Sequence, residues 1–226
     1  MSRLIIPRVA PDLDGSVRLG LVGAEPVSVG PAAPALEAEI ESARASLAAQ
    51  HEGRAPGEIA GLEPARRLYR LFGIDPTRTR PSSEALLRRV LQSKPLPKIL
   101  SAVDLCNLCA LWFLLPIGLY DARRIRGEVT LRRGGPGEAY QGLRKDDVHL
   151  EGRPVLADDE GPFGNPTADS LRTCVTPSTT TLWMVIFAPS SYPASDMESN
   201  ARRAAEAMAR HLAPPGGQVI AESRVL

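Results

Sequence analysis

The most restrictive feature of the sequence is the run LCNLCALWFLL at residues 105–115. Ser101 and Asp104 precede it with the spacing of a helical capping box, and Pro116 ends it. Nearly every position of this helix is apolar, so none of its sides favours water. We therefore expect the helix to be central and buried. Asn107 is its one strongly polar interior residue.

Length and composition exclude several classes of protein. The chain has 226 residues, of which 43 % are apolar and 23 % charged, so most of it can offset the entropy of ordering. The longest apolar stretch, Ala110 to Leu119, is too short to span a bilayer. The N-terminal sequence MSRLIIPRV does not fit a signal peptide, and we expect a cytoplasmic location without membrane contact. Three cysteines do not make a disulfide scaffold.

Four further helices are indicated by apolar residues at helical spacing. Ser82 or Ser83 is expected to cap the third of them, and Ser195 with Glu198 the last. Ion pairs are expected along the last helix at Glu198–Arg202 and Glu206–Arg210. The expected helices run from Pro34 to about His51, from Glu58 or Pro64 to Phe72, from Pro81 to about Gln92, and from Ser195 to about His211.

The rest of the sequence favours strands and turns. Helices at both ends and in the middle, with hairpin-rich strands between them, predict an α+β fold rather than alternating βαβ units. The expected strands lie in LIIPRV and VRLGLVGAEPVSV near the N-terminus, at 127–133, at 152–159, as one or two runs within 172–188, and in the C-terminal segment GGQVIAESRVL.

Charge is unevenly distributed along the chain. The formal net charge is only +1, but residues 64–100 carry nine basic side chains against Asp75 and Glu84. This segment, with a formal charge of +7, is either a phosphate-facing surface or a set of solvated helix faces. Arg80 has the same ambiguity, since it can anchor a turn or face a phosphate or carboxylate.

Motifs for metal or cofactor chemistry are weak. Cys106 and Cys109 have the CxxC spacing, but a metal site needs two more ligands, so we expect reduced, buried thiols and neither metal nor cofactor. The three histidines have no repeated ligand spacing, and a spatial Ser-His-Asp arrangement stays open. GGPGE at 134–138 is expected to be a hairpin turn. Asn107 either bonds a neighbouring backbone group or faces a pocket, because an unpaired buried amide is destabilising.

Several short motifs occur in an order and spacing that resembles the B3/B4 domain of the bacterial phenylalanyl-tRNA synthetase beta subunit, especially its free-standing relatives. The resemblance covers residues 68–188. The motifs are Arg80-Pro81-Ser82, Glu84, Arg88-Arg89, Val103-Asp104 with Asn107, Pro116 before Gly118, Asp121, Gly127, Gly137-Glu138 and Arg172-Thr173.

This resemblance implies a β-sheet or partial barrel with packed helices. Residues 1–226 would then form a single B3/B4-like domain, completed by its terminal extensions. It also implies a pocket that, in the synthetase, receives the aminoacylated 3′ end of tRNA and hydrolyses mischarged tyrosine. The chain is too short for an aminoacylation core and should not charge tRNA itself.

Two departures from the family pattern weaken a direct transfer of the editing chemistry. Gly118 stands where the synthetase has a histidine, and the segment TLWMVIFA lacks the pocket's glutamate. The leading hypothesis is a free-standing domain that binds an aminoacyl-tRNA 3′ end and hydrolyses mischarged aminoacyl-tRNA in trans. The rivals are a non-catalytic module for RNA or an amino-acid-like ligand, and a metabolic enzyme on the same scaffold. The oligomeric state stays open.

The hypothesis assigns roles to particular residues. Glu138 is the candidate catalytic carboxylate that steers water. The candidate ligand-binding residues are Asn107, Gly118, Gly164 and Thr173, with Gly164 matched to a pocket glycine.

Three arginines, Arg80, Arg88 and Arg89, are the candidate contacts to RNA phosphates. The alternative for the last two is a structural ion pair, with Glu84 placed to reach Arg88 one helical turn away.

Overall fold

The computed structural model describes residues 4–143 and 146–226. The helices in this part of the chain are α1 (Pro34–Gln50), α2 (Glu63–Leu71), α3 (Ser82–Leu91), α4 (Ser101–Phe113) and α5 (Ala194–His211). The strands are β1 (Arg8–Val9), β2 (Val17–Glu25), β3 (Ile117–Asp121), β4 (Thr130–Arg133), β5 (Ala139–Gln141), β6 (Asp147–His149), β7 (Pro154–Asp158), β8 (Gly161–Gly164), β9 (Leu182–Pro189) and β10 (Ile220–Val225).

The strands form two four-stranded sheets and one small hairpin. The first sheet has the order β10-β2-β9-β3 and is antiparallel throughout. The second has the order β1-β4-β7-β8, with a parallel pairing only between β1 and β4. Within the described residues neither sheet closes into a barrel. The predicted α+β class with packed helices is confirmed, and the sheets are open.

The first sheet is covered on both faces, which explains the continuous apolar run of β9. Alternate side chains of a strand point to opposite faces. Met184 and Ile186 pack with α4 and α5, whereas Trp183 and Val185 pack with the second sheet and α2. Because both faces are buried, β9 carries no polar alternation.

Helix α4 is buried, as predicted from its sequence. One side, including Leu105 and Leu108, packs in the core against α5 and the first sheet. Its other side, including Leu111, packs with Leu87 and Val90 of α3. The helix ends at Phe113, and the next residue, Leu114, has a φ of 53° in the left-handed region, two residues before Pro116. Because α4 is central, each of its faces meets a different neighbouring part of the fold.

The predicted serine caps are wrong. The N-cap positions of α3, α4 and α5 are held by Pro81, Leu100 and Pro193, which have no side chain able to accept the free amide protons. Asp104 instead accepts a hydrogen bond from the backbone of Ile99 at 2.9 Å. The chain therefore enters α3, α4 and α5 one or two residues earlier than the predicted serine caps require.

Some predicted ion pairs and some predicted strands also differ from the structure. The expected pairs Glu198–Arg202 and Glu206–Arg210 do not form, and Arg210 contacts Glu39 of α1 at 3.1 Å. Residues 172–181 form two short turns joined by irregular chain rather than a strand, whereas β3, β5, β6 and β8 were not predicted. Across residues 4–143 and 146–226, no helix has the length and apolarity needed to cross a membrane.

Candidate functional site

Four arginines surround an open depression of about 650 Å³ between α2, α3 and the loop that joins them. We call this depression the arginine cup, and its arginines are Arg66, Arg70, Arg80 and Arg88. Its position follows from the local fold, because α2 and α3 each present basic side chains on the side opposite their buried apolar residues. Four of the nine basic side chains of residues 64–100 thus meet at one place on the surface.

A buried carboxylate organises the arginine cup. Glu84 is only 2 % exposed and accepts hydrogen bonds from Arg66 at 2.9 and 3.0 Å and from Arg88 at 3.2 Å. Burial raises the pKa of Glu84, but the hydrogen bonds and charge of Arg66 and then of Arg88 outweigh it, so its pKa lies below the ordinary value. The predicted Glu84–Arg88 pair is present. Arg66, from the preceding helix, is the stronger partner.

The three predicted phosphate contacts are not all in one place. Arg80 and Arg88 line the arginine cup, and Arg80 is exposed and forms no ion pair with any described residue. Arg89 instead donates two hydrogen bonds to the carbonyl oxygen of Pro95, at 2.9 and 2.7 Å. It fixes the chain after α3. Sequence reasoning counted Arg66 in the basic segment without recognising that it reaches Glu84.

Gly118 and Gly164 lie on either side of one aromatic side chain. A β-carbon at either position would overlap the phenol end of Tyr120. The Tyr120 ring is fully buried, with Phe163 edge-on at 5.2 Å and Trp183 at 5.7 Å between ring centroids. Its hydroxyl has no hydrogen-bond partner among the described residues. We call this arrangement the glycine cradle. Tyr120 fills it.

Asp169 adjoins the glycine cradle and was missed by sequence reasoning. It follows β8, bridges to Gly164 through the backbone, and accepts a hydrogen bond from the Leu119 amide at 3.4 Å. Burial raises the pKa of Asp169 to about 7. The only signal in the sequence is an acidic residue five positions after Gly164, and its burial arises from tertiary packing.

Thr173 is buried beside this region rather than open to it. Its hydroxyl lies 3.1 Å from the Ser170 hydroxyl and 3.4 Å from the Phe163 carbonyl oxygen. Its carbonyl oxygen accepts a bond from the Asp121 amide at 2.9 Å. The structure thus brings Thr173 near the strands that carry Gly118 and Gly164, with the polar group of its side chain engaged in the protein.

Glu138 lies in the turn between β4 and β5. Its two carboxylate oxygens accept hydrogen bonds from Arg132 at 2.7 and 2.6 Å, and one also accepts from the Gly135 amide at 2.8 Å. The hydrogen bond from Arg132 is the main cause of its lowered pKa. This geometry favours fixing the turn over steering a water molecule. The catalytic role of Glu138 stays a prediction.

Asn107 lines a separate groove of about 280 Å³ between α4, α1 and the loop before α4. We call it the Asn107 groove. The Asn107 side chain forms no hydrogen bond with a described residue, whereas its neighbour Cys106 packs against the hydrophobic core. Adjacent residues on a helix point in different directions. Asn107 therefore lies apart from the other predicted ligand-binding residues, Gly118, Gly164 and Thr173.

No group of three or more histidine, cysteine or acidic side chains within residues 4–143 and 146–226 is arranged to hold a metal ion. The cysteines there are unpaired. Burial raises the pKa of Cys106 well above its ordinary value and that of Cys109 to about 12, so both thiols stay protonated at neutral pH. The absence of bound metal in the protein stays a prediction.

Comparison with known proteins points to a single family. A family model described as the B3/4 domain matches residues 64–211. A phenylalanine–tRNA ligase beta subunit from Streptomyces avermitilis is 34 % identical over 93 residues, which is 41 % of this chain and 11 % of that protein. The crystal structure of an N-terminal fragment of the phenylalanyl-tRNA synthetase beta-subunit from Pyrococcus horikoshii covers 99 % of this chain and 56 % of its own, at 13 % identity and a TM-score of 0.46.

Proposed function

This chain belongs to the B3/4 domain family, and we propose that it is a cytoplasmic tRNA-binding protein whose arginine cup contacts phosphates. Its relation to the beta subunit of phenylalanine–tRNA ligase supports a tRNA-related role. The chain spans about a tenth of that curated relative, so the ligand and activity proposed here are argued from its own residues.

The single observation that carries the proposal is the excess of positive over negative side chains in the arginine cup. Four arginines face the depression, of which Glu84 engages Arg66 and Arg88 and Glu63 engages Arg70. Arg80 is exposed and uncompensated by any described residue. Guanidinium groups are well suited to phosphate because their planar donors match two phosphate oxygens at once. A cup with spare guanidinium donors therefore fits a nucleic-acid backbone.

The test compares two double variants with the same change in net charge. Arg80→Ala with Arg88→Ala removes two cup arginines, whereas Arg67→Ala with Arg202→Ala removes two exposed arginines outside the cup. We expect the first to weaken tRNA binding and to make its salt dependence shallower by roughly 0.7–0.9 for each phosphate that is no longer neutralised. Equal effects of the two double variants would contradict the arginine cup as the binding surface.

The finer proposal is that the bound tRNA carries an aminoacyl group at its 3′ end. Hydrolysis of that ester is a second candidate function, with Asp169 as its candidate base because it bridges to Gly164 beside the glycine cradle. With a pKa of about 7, its carboxylate is matched to accepting a proton near neutral pH. Asp169 would take the proton of a water molecule whose oxygen attacks the ester carbonyl. The bond between the carbonyl carbon and the 3′ oxygen would then break, and Asp169 would return its proton to the leaving 3′ oxygen.

Tyr120 restricts this second function. Because its ring fills the glycine cradle, an aromatic aminoacyl side chain has no room between Gly118 and Gly164. A panel of mischarged tRNAs, followed for release of the amino acid, tests for hydrolysis. We expect Asp169→Asn to abolish any release while tRNA affinity is retained. Retained tRNA binding without release from any member of the panel would favour the non-catalytic binding module.

A further inference from the structure

Strand β10 lies at one end of the first sheet, and no described strand pairs with its outer edge. The opposite end of the sheet is covered, because the amides of Leu119 and Asp121 in β3 donate to Asp169 and Thr173. Strand β10 also lies outside residues 64–211, which the family model matches. An uncovered edge strand is a template on which another strand can pair. Its backbone and side chains decide which strand fits.

The pairing with β2 determines which backbone groups of β10 point outward. Leu226 and Leu19 donate to each other's carbonyl oxygens, at 3.0 and 2.9 Å. The register continues without interruption to Ile220, which lies opposite Glu25. In an antiparallel pair, residues that bond the neighbouring strand alternate with residues whose N–H and C=O groups point away from it. The outward groups are therefore those of Ala221, Ser223 and Val225.

The side of β10 that faces away from α5 has an acidic and a basic residue between two apolar ones. Ala221 and Val225 pack against the core beneath α5, so the residues between and beyond them point to the other side. Glu222 and Arg224 are exposed there, and neither forms an ion pair with a described residue. The flanking apolar side chains are 57 % and 36 % exposed, at Ile220 and Leu226.

We propose that a second copy of this chain pairs with β10, antiparallel to it, with Ser223 of both copies on the two-fold axis. In this register Glu222 lies opposite Arg224 of the second copy, and Ile220 lies opposite its Leu226. Symmetry repeats each pair. The opposite charges stand at positions that do not exchange backbone hydrogen bonds, where facing side chains are closest. The two copies of the first sheet become one continuous sheet.

Other registers are disfavoured by the same side chains. An axis at position 222 places Glu222 opposite its own copy, and an axis at position 224 places Arg224 opposite its own copy. Like charges directly opposite on neighbouring strands are destabilising. An axis at position 221 or 225 sets a charged side chain against Ile220 or Leu226. Charges that commonly shield an edge strand therefore select one register with a copy of the same strand.

The first test measures the mass of the intact protein in solution by analytical ultracentrifugation. We expect reversible assembly to twice the chain mass of 24.2 kDa as the concentration rises from about 1 µM to about 1 mM. A protein that stays monomeric throughout would overturn the proposal and leave the edge to a different partner. Growth beyond two copies would also contradict it, because a two-fold pairing of β10 uses up both open edges.

Charge reversal tests the register. Glu222→Arg alone or Arg224→Glu alone places like charges opposite each other at two symmetric positions, so we expect each to raise the dissociation constant of the dimer at least about tenfold. The double variant Glu222→Arg with Arg224→Glu restores opposite charges at unchanged composition, and its constant should lie within about threefold of the original. Glu52→Arg, in the exposed turn after α1, is the control for a charge change outside β10. A dimer that the single reversals leave intact, or that the double variant does not restore, contradicts this register.

Hydrogen exchange locates the interface. In the proposed dimer the outward amides of Ala221, Ser223 and Val225 donate across the axis, so each should exchange at least about tenfold more slowly in concentrated than in dilute protein. Ser223→Pro removes the central outward amide and leaves the hydrogen bonds to β2, so it should abolish the dimer while the dilute protein keeps its melting temperature. A dimer whose three amides exchange as in the dilute protein would place the interface elsewhere. None of these measurements uses tRNA, so the dimer and the arginine cup can fail independently.

Discussion

The phenol of Tyr120 occupies the space that a side chain at Gly118 would require. The sequence resemblance implies a histidine at the position of Gly118, but no side chain fits there while Tyr120 keeps its position. The position of the Tyr120 ring therefore depends on a glycine at position 118. The same ring also excludes a side chain at Gly164 across the cradle. The departure seen in the sequence is explained by packing rather than by a simple deletion of a functional group.

Replacing Gly164 with alanine should destabilise the protein. The added methyl would overlap the Tyr120 ring, which is held between Phe163 and Trp183 and has little freedom to move. We expect a decrease of about 1–3 kcal/mol in the free energy of unfolding, typical of overpacking. Denaturant titration measures it. Gly30→Ala, where nothing lies within 4 Å of the new methyl, is the matched control. Equal stability of the two variants would contradict the filled cradle.

Arg66 should matter more for stability than Arg88. Arg66→Ala leaves the buried Glu84 with its weaker partner, and we expect a decrease of about 3 kcal/mol in the free energy of unfolding. Arg88→Ala leaves both Arg66 bonds intact, and its side chain is 36 % exposed, so we expect about 1 kcal/mol or less. Thermal and denaturant unfolding of both variants decide this. A larger decrease for Arg88→Ala would show that Arg66 does not anchor Glu84.

Asp169 should destabilise the folded protein as the pH rises. Its folded pKa, raised by burial to about 7, lies above the ordinary value of 3.8, so the folded state holds the proton more tightly. Asp169 therefore contributes a decrease in stability that develops between pH 3.8 and 7 and is complete above 7. We expect Asp169→Asn to gain stability over the original protein across this range. A difference between the two that does not vary with pH would refute the raised pKa.

Arg89 should behave as a structural residue and not as a phosphate contact. Arg89→Ala removes two hydrogen bonds to the Pro95 carbonyl, and we expect a decrease of about 1 kcal/mol in unfolding free energy. The salt dependence of tRNA binding should be the same as in the original protein. Arg80→Ala is the comparison, since it should show the reverse pattern. A shallower salt dependence in Arg89→Ala would place this arginine on the RNA.

Sequence patterns predicted the helices well because apolar residues recur at helical spacing, as in α5, where Met197, Ala201, Ala204 and Met208 are buried. The predicted starts of the helices were less accurate. Pro81 and Pro193 occupy the N-cap positions of α3 and α5, and neither has a side chain that can cap the helix. Strand β3 was missed because its residues continue the apolar run of α4 beyond Pro116. Periodicity over five residues cannot distinguish a strand from the end of a buried helix.

The candidate site was only partly predictable for a related reason. The pair Glu84–Arg88 is local on one helix, and sequence spacing predicted it as an alternative. Arg66 and Asp169 reach their partners through tertiary packing, and nothing in their neighbouring residues indicates this. Asn107 and Cys106 are adjacent in sequence, yet Asn107 lines a groove and Cys106 packs against the core, which becomes apparent only when the position of α4 among its neighbours is known.

The order of strands in the first sheet governs when the chain can fold. Strand β2 lies between β9 and β10, and its Leu19 pairs with Phe187. An N-terminal strand must therefore wait for most of the chain to leave the ribosome before its partners exist. Such distant pairings slow folding and leave apolar edges open meanwhile. A fragment limited to residues 64–211 would lack β2 and β10 altogether, leaving β9 with one bare edge where β2 should pair.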